Sequence, residues 1–149
     1  MSPSQPQEPT LSVEPSASAA DIQAVFTGLR AYNVSQVGEP DEQPVHVFLR
    51  DGSGAVVAGL SGHVKWKWLY VAKLWVSEPL RGSGAGRRLM AAAEAFAIEH
   101  GATDASLDTF GDQARPFYEK LGYRVFGTLE GFPPGSRQYF LTKSLRASR

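Results

Sequence analysis

The run Leu74-Trp75-Val76, followed after a short polar stretch by Arg81-Gly82-Ser83-Gly84-Ala85-Gly86-Arg87-Arg88, constrains this chain most. An apolar strand there must turn through alternate glycines directly into a helix. Gly82, Gly84 and Gly86 allow positive φ and a close approach of backbone to a ligand, because no Cβ intervenes. The helix that begins among them leaves its first N–H groups without intrahelical partners, and its dipole adds partial positive charge at that end. Such an end suits phosphate or pyrophosphate, and Arg81, Arg87 and Arg88 can add bidentate side-chain donors. The alternative is that the glycines only fit a tight strand-to-helix corner.

Two familiar phosphate motifs fail on these residues. The nucleoside-triphosphate loop needs Gly-Lys-Ser/Thr at the helix start, where Gly86 is followed by Arg87 and Arg88. The dinucleotide fingerprint needs a third glycine where Arg87 or Leu89 stands. The pattern Arg81-x-x-Gly84-x-Gly86 after a strand ending at Val76 resembles motif A of the GNAT superfamily, the Gcn5-related N-acetyltransferases. That resemblance implies that the turn's amides bind the pyrophosphate of acetyl-CoA, with Leu74, Trp75, Val76, Arg81, Gly82, Ser83, Gly84, Ala85, Gly86 and Arg87 against the cofactor.

Basic and acidic residues balance at 15 each, so there is no electrostatic footprint for nucleic acid or an anionic membrane. The absence of cysteine removes disulfides, thiolate nucleophiles and Cys-based zinc sites, and no metal is expected. No apolar run approaches the ~20 residues of a membrane span, so a soluble, cytoplasmic protein is expected. Residues 1–16 are rich in Pro, Ser, Gln and Glu and read as a mobile tail, with residues 11–13 offered as a short first strand. Residues 17–149 read as a single domain.

Ser18 with Asp21 resembles a capping box, and Ile22, Val25, Phe26 and Leu29 follow on one helical face up to Gly38. Residues 45–50 and 55–64 read as strands joined by Asp51-Gly52-Ser53-Gly54, which is hairpin chemistry. Residues 65–76 continue as β, with Val71, Lys73 and Trp75 on one face and Tyr70, Ala72, Leu74 and Val76 on the other. The helix after the glycines carries Leu89, Ala93, Phe96, Ala97 and His100 as a core stripe and stops at Gly101. Residues 105–109 form a strand, and a helix starting at Gly111-Asp112 holds Pro116 in its first turn and stops at Gly122. Strands at 123–129 and 137–145 close the chain. The order implies an α/β (α+β) fold with a mixed, mostly antiparallel sheet flanked by helices, which is also the arrangement that the resemblance implies.

A second stretch, Ala114-Arg-Pro-Phe-Tyr118-Glu-Lys-Leu-Gly122-Tyr123, is similar to the late GNAT motif Ala-x-x-x-Tyr-x-x-x-Gly-aromatic. By that resemblance Tyr118 is the general acid that protonates the departing thiolate of coenzyme A. From spacing alone Tyr118 could equally pack in its helix beside Phe117 and Leu121. The family's Asn is Gly111 here, so the side-chain contact to the pantetheine arm is either missing or supplied by Thr109 or Gln113. The resemblance spans residues 18–145.

It implies direct acetyl transfer from acetyl-CoA to a primary amine of a small molecule, peptide or protein, with backbone amides near Trp75 and Val76 polarising the thioester. A homodimer is compatible with it. His63, Glu78 and Asp108 stand near strand ends as candidate bases, and a water chain would serve as well. Trp66, Trp68 and Tyr70, with Phe132 to Gly135, either wall the acceptor pocket or belong to ordinary surface. The second functional reading is a non-catalytic coenzyme A-binding sensor or interaction module on the same fold.

Overall fold

A computed structural model describes residues 7–146. The chain divides into two compact units, Met1–Glu39 and Pro40–Arg149. Among the described residues the first contains one helix, α1 (Ala19–Val37). Ser18 Oγ accepts the Asp21 N–H at 3.1 Å, and Gly38, at φ 85°, ends the helix while donating its N–H to the Val34 carbonyl. These are the caps that the sequence implied. Ile22, Val25, Phe26 and Leu29 share a face, yet each is more than half exposed. Leu11 and Val13 lie outside any strand, which corrects the expected first strand. A segment that short, set between Pro9 and Pro15, has few N–H groups to offer a sheet edge.

The second unit is built on a six-stranded sheet in the order β1-β2-β3-β4-β6-β5. Its strands are β1 (Gln43–Arg50), β2 (Val56–Lys65), β3 (Trp68–Val76), β4 (Asp104–Phe110), β5 (Arg124–Glu130) and β6 (Arg137–Ser144). Between β3 and β4 the chain passes through a one-turn helix (Glu78–Leu80) and α2 (Ala85–Glu99), and between β4 and β5 through α3 (Arg115–Lys120). Only the β3–β4 pair is parallel, as a helical crossover requires; the other neighbours run antiparallel. Asp51 closes the first hairpin by accepting the Ser53 and Ala55 N–H groups at 2.8 and 3.1 Å, with Gly54 at φ 88°.

Three expectations shift. Residues 65–76 are not one strand: Trp66 and Lys67, at φ 46° and 65°, make a two-residue corner between β2 and β3. Neither is a turn-forming residue by type, so nothing announces the corner. The β2–β3 register then slips between Ser61 and Gly62, opposite Val71 to Lys73. This bulge resets the alternation, so Leu69 and Val71 are followed on the core side by Leu74 and Val76 instead of Lys73 and Trp75. Gly62 is required there, because a Cβ would stand 2.0 Å from the Tyr70 carbonyl oxygen. Finally, α3 starts at Arg115 rather than near Gly111, with residues 111–114 forming bends and Pro116 still in the first turn.

The core lies between the sheet and α2, whose buried Leu89, Met90, Ala93 and Ala97 meet Leu60, Leu69, Val71 and Leu107. Burying each Leu contributes roughly 1.5–3 kcal/mol. That packing fixes the N-terminus of α2 beside the end of β3. The β3–β4 pairing runs from Trp68↔Asp104 to Val71↔Leu107 and stops, so the strands part into a fork below the helix.

Candidate active site

One edge of β3 has no strand partner beyond Val71, and the glycine turn that follows brings the chain back over that fork. Gly82 and Gly84 adopt φ 81° and 88°, conformations that strain any residue with a Cβ. Gly84 caps α2 without a side-chain hydrogen bond. Arg81 Nε donates to the Val76 carbonyl at 3.2 Å, tying the turn to the strand end.

A cavity of about 570 Å³ opens there. Its walls include Leu74, Trp75 and Val76 from β3; Arg81, Gly82 and Gly84 from the turn; and Ala85, Gly86 and Arg87 from the first turn of α2. Ala114, Phe117 and Tyr118 face these from the α3 side. The sequence-expected residues therefore come together, with two exceptions. Ser83 turns away, donating its hydroxyl to the Leu80 carbonyl and lining a neighbouring hollow of about 400 Å³. Thr109 is paired with Tyr139 across β4 and β6 and does not line the cavity, and Gln113 is exposed.

Leu80, Lys120 and Leu121 also line it and were not singled out from sequence. Lys120 sits in the last turn of α3, where a cation reads first as a partner for the helix dipole. The lining thus carries three cations, Arg81, Arg87 and Lys120, and no carboxylate. Together with the exposed N–H groups of α2 this end of the cavity attracts an anion.

Tyr118 is 7% exposed, held edge-on between Phe117 and Tyr123 at ring separations of 5.0 and 6.1 Å. Burial raises its phenol pKa above the usual value, and the nearby negative charge of Asp108 raises it further. The hydroxyl is therefore protonated at neutral pH and available as a donor. Tyr118 thus packs in the core and also lines the cavity.

The three candidate bases are placed differently. Glu78 is exposed in the one-turn helix. His63 lies inside β2, its ring tilted against Tyr70 at 5.5 Å. Asp108 lies inside β4, which extends to Phe110, and accepts from the Tyr70 hydroxyl and the Gln138 amide, each at 2.8 Å. Trp66 and Trp68 stand at the β2–β3 corner, Trp68 above a separate hollow with Asp104, Arg124 and Phe126. No helix among the described residues is long and apolar enough to cross a membrane.

Comparison with known proteins agrees with this geometry. The chain is 40% identical over 119 residues to blasticidin-S acetyltransferase of Streptomyces morookaense, covering 78% of this chain and 88% of the relative. It is 35% identical over 127 residues to an acetyltransferase of Agrobacterium fabrum, covering 85% and 93%. The crystal structure of an acetyltransferase from Agrobacterium tumefaciens superposes with a TM-score of 0.86 at 32% identity, over 91% of this chain and 98% of that one. Residues 14–123 match the Acetyltransferase (GNAT) family, and the chain belongs to that family as an acetyl-CoA-dependent acetyltransferase.

Proposed function

We propose that the protein transfers the acetyl group of acetyl-CoA directly to a primary amine of a small molecule, or of a peptide or protein, with Tyr118 as general acid. One observation carries this reading: a single cavity joins the cationic N-terminus of α2 to the buried, protonated phenol of Tyr118. The pyrophosphate lies against the amides of the glycine turn and Arg81 and Arg87. The pantetheine arm follows the unpaired edge of β3, where amides near Trp75 and Val76 take the charge that develops on the thioester oxygen. Tyr118 then supplies the proton as the C–S bond breaks. A phenol near pKa 10 yields to a thiolate near 8.5 at about 2 kcal/mol on ordinary values, so the hydroxyl helps most as a hydrogen-bond donor before transfer completes.

The acceptor must arrive as a free amine. With a pKa of about 10.4 only roughly one molecule in 2500 is neutral at pH 7, equivalent to about 4.6 kcal/mol. Blasticidin S, for which one relative is named, is the first acceptor to try. The names of the relatives favour turnover over a silent coenzyme A sensor.

Thermal unfolding with 1 mM acetyl-CoA, paired with thiol release on a panel of amines headed by blasticidin S, tests the reading. For a Kd of about 10 μM, linkage gives roughly 2.7 kcal/mol and a rise in Tm of about 5–11 °C. An unmoved Tm sinks the cofactor site, and a shift without thiol release on any amine sinks the transfer.

A further inference from the structure

Asp108 occupies the first position past the last parallel pair of β3 and β4, at the mouth of the fork. Both carboxylate oxygens are held: Oδ1 accepts from Tyr70 Oη on β3 and Oδ2 from Gln138 Nε2 on β6, each at 2.8 Å. Gln138 is itself buried, and the Tyr70 ring leans on His63, so three strands fix the position of this group. A carboxylate keeps about four acceptor sites, so each oxygen retains one after these bonds. Its partners are neutral; no Lys, Arg or His among the described residues stands within ion-pair distance of it. A half-buried, oriented carboxylate without a counter-cation is an electrostatic vacancy for a cation.

Its place relative to the cavity decides which cation. Asp108 stands at the mouth of the fork whose β3 edge, Leu74 to Val76, walls the cavity, and its charge is felt at the Tyr118 hydroxyl. The lining of the cofactor cavity holds cations and no acid, whereas the charge that Asp108 brings near Tyr118 is negative. Glu78 is exposed in its one-turn helix and has no comparable framework.

We infer that Asp108, set by Tyr70 and Gln138, is the acceptor-binding carboxylate, selecting amines that are cationic in solution and holding the nitrogen as it attacks. The inference rests on the acetyl-transfer reading above. The bound ammonium loses one proton to water and the resulting amine attacks the thioester carbon. As the C–N bond forms, the nitrogen becomes positive beside Asp108. It gives up its second proton through water while the C–S bond breaks, and sulfur takes the Tyr118 proton, which water restores. The balance is an ammonium and a thioester going to an amide, a thiol and one free proton. The carboxylate stabilises the nitrogen when its charge is greatest, which speeds attack and not binding alone.

Binding of benzylamine and its uncharged isostere benzyl alcohol to the coenzyme A complex, with butylamine and butanol as a second pair, tests this by calorimetry at pH 7. Wild type prefers each amine over its alcohol by about tenfold or more, the scale of one exposed-to-half-buried charge contact. Asp108→Asn keeps the size of the side chain, binds coenzyme A as wild type does, and loses the preference. A wild type without preference, or an Asp108→Asn that retains it, overturns the inference. Should Asp108→Asn fail to fold, Tyr70→Phe carries the test: the loosened carboxylate lowers the preference by about threefold or more, and an unchanged preference overturns the assignment. Absent coenzyme A binding in wild type brings down the cofactor reading and this one together. Intact coenzyme A binding without amine preference brings down this one alone.

Discussion

Phe117 of α3 lies so close to Gly86 of α2 that a Cβ on Gly86 would stand 3.1 Å from Phe117 Cζ. Both residues line the cofactor cavity, so their contact sets the separation between the α2 N-terminus and the helix that carries Tyr118. Gly86→Ala gains up to about 1 kcal/mol of helix propensity while pushing the ring by a few tenths of an ångström. Tm is therefore expected to stay within about 3 °C of wild type, whereas the Kd for acetyl-CoA rises about fivefold or more. An unchanged Kd by calorimetry would show that Phe117 yields freely and that this contact does not shape the site.

Gly84 is expected to behave in the opposite way. Nothing crowds its missing Cβ, but its φ is 88°. Gly84→Ala then costs about 1–2 kcal/mol through backbone strain alone, read as a lower urea midpoint with an unchanged m-value.

Tyr118→Phe removes the hydroxyl and keeps the ring that packs against Phe117 and Tyr123. The expected result is a kcat lower by about 10²-fold with acetyl-CoA affinity within twofold. Equal loss of affinity and turnover would instead assign the residue to packing.

The glycine turn, the caps of α1 and the strand-to-helix order were legible because each rests on local chemistry: Ser18 as an N-cap, Gly38 and Gly101 as helix ends, Asp51 as a turn former. The Trp66-Lys67 corner was not, since its geometry is imposed by the pairing of β2 with β3 on residues with no turn preference. The bulge opposite Val71 was hidden for the same reason, and it misplaced Leu74 and Val76 by one step of alternation. At the site, residues contiguous with the turn were readable. The Tyr70–Asp108–Gln138 set joins positions far apart in sequence that only the sheet register brings together, and Lys120 reaches the cavity through the placement of α3.

Glu94 on α2 binds Lys143 of β6 and Tyr123, the residue before β5: Lys143 Nζ donates to Oε1 at 2.6 Å and Tyr123 Oη to Oε2 at 3.1 Å. Lys143 and Glu94 side chains are 26% and 14% exposed, so this pair is screened less than a surface one. Lys143→Met strands the carboxylate and is expected to cost about 2 kcal/mol, below the range for fully buried pairs. The double variant Glu94→Gln/Lys143→Met should recover part of that loss. Additive single effects in a double-mutant cycle would mean that the pair is not coupled.

Stability at high pH follows from the phenols. Burial, the Glu94 charge and the hydrogen bond to Glu94 all raise the Tyr123 pKa in the folded state, and burial followed by Asp108 raises that of Tyr118. Both groups stay protonated in the native chain where an unfolded tyrosine, near pKa 10, already gives up its proton. The native state then binds more protons than the unfolded one, so the contribution is fully present below about pH 10 and is lost as pH rises above it. Each phenol steepens the decline by up to about 1.4 kcal/mol per pH unit. Tyr123→Phe should flatten the fall in urea midpoint between about pH 10 and 11 by roughly that slope, while lowering stability at pH 7 by about 1 kcal/mol for the lost hydrogen bond. An alkaline slope that the substitution leaves unchanged would show that Tyr123 ionises freely in the folded protein, contrary to its burial beside Glu94.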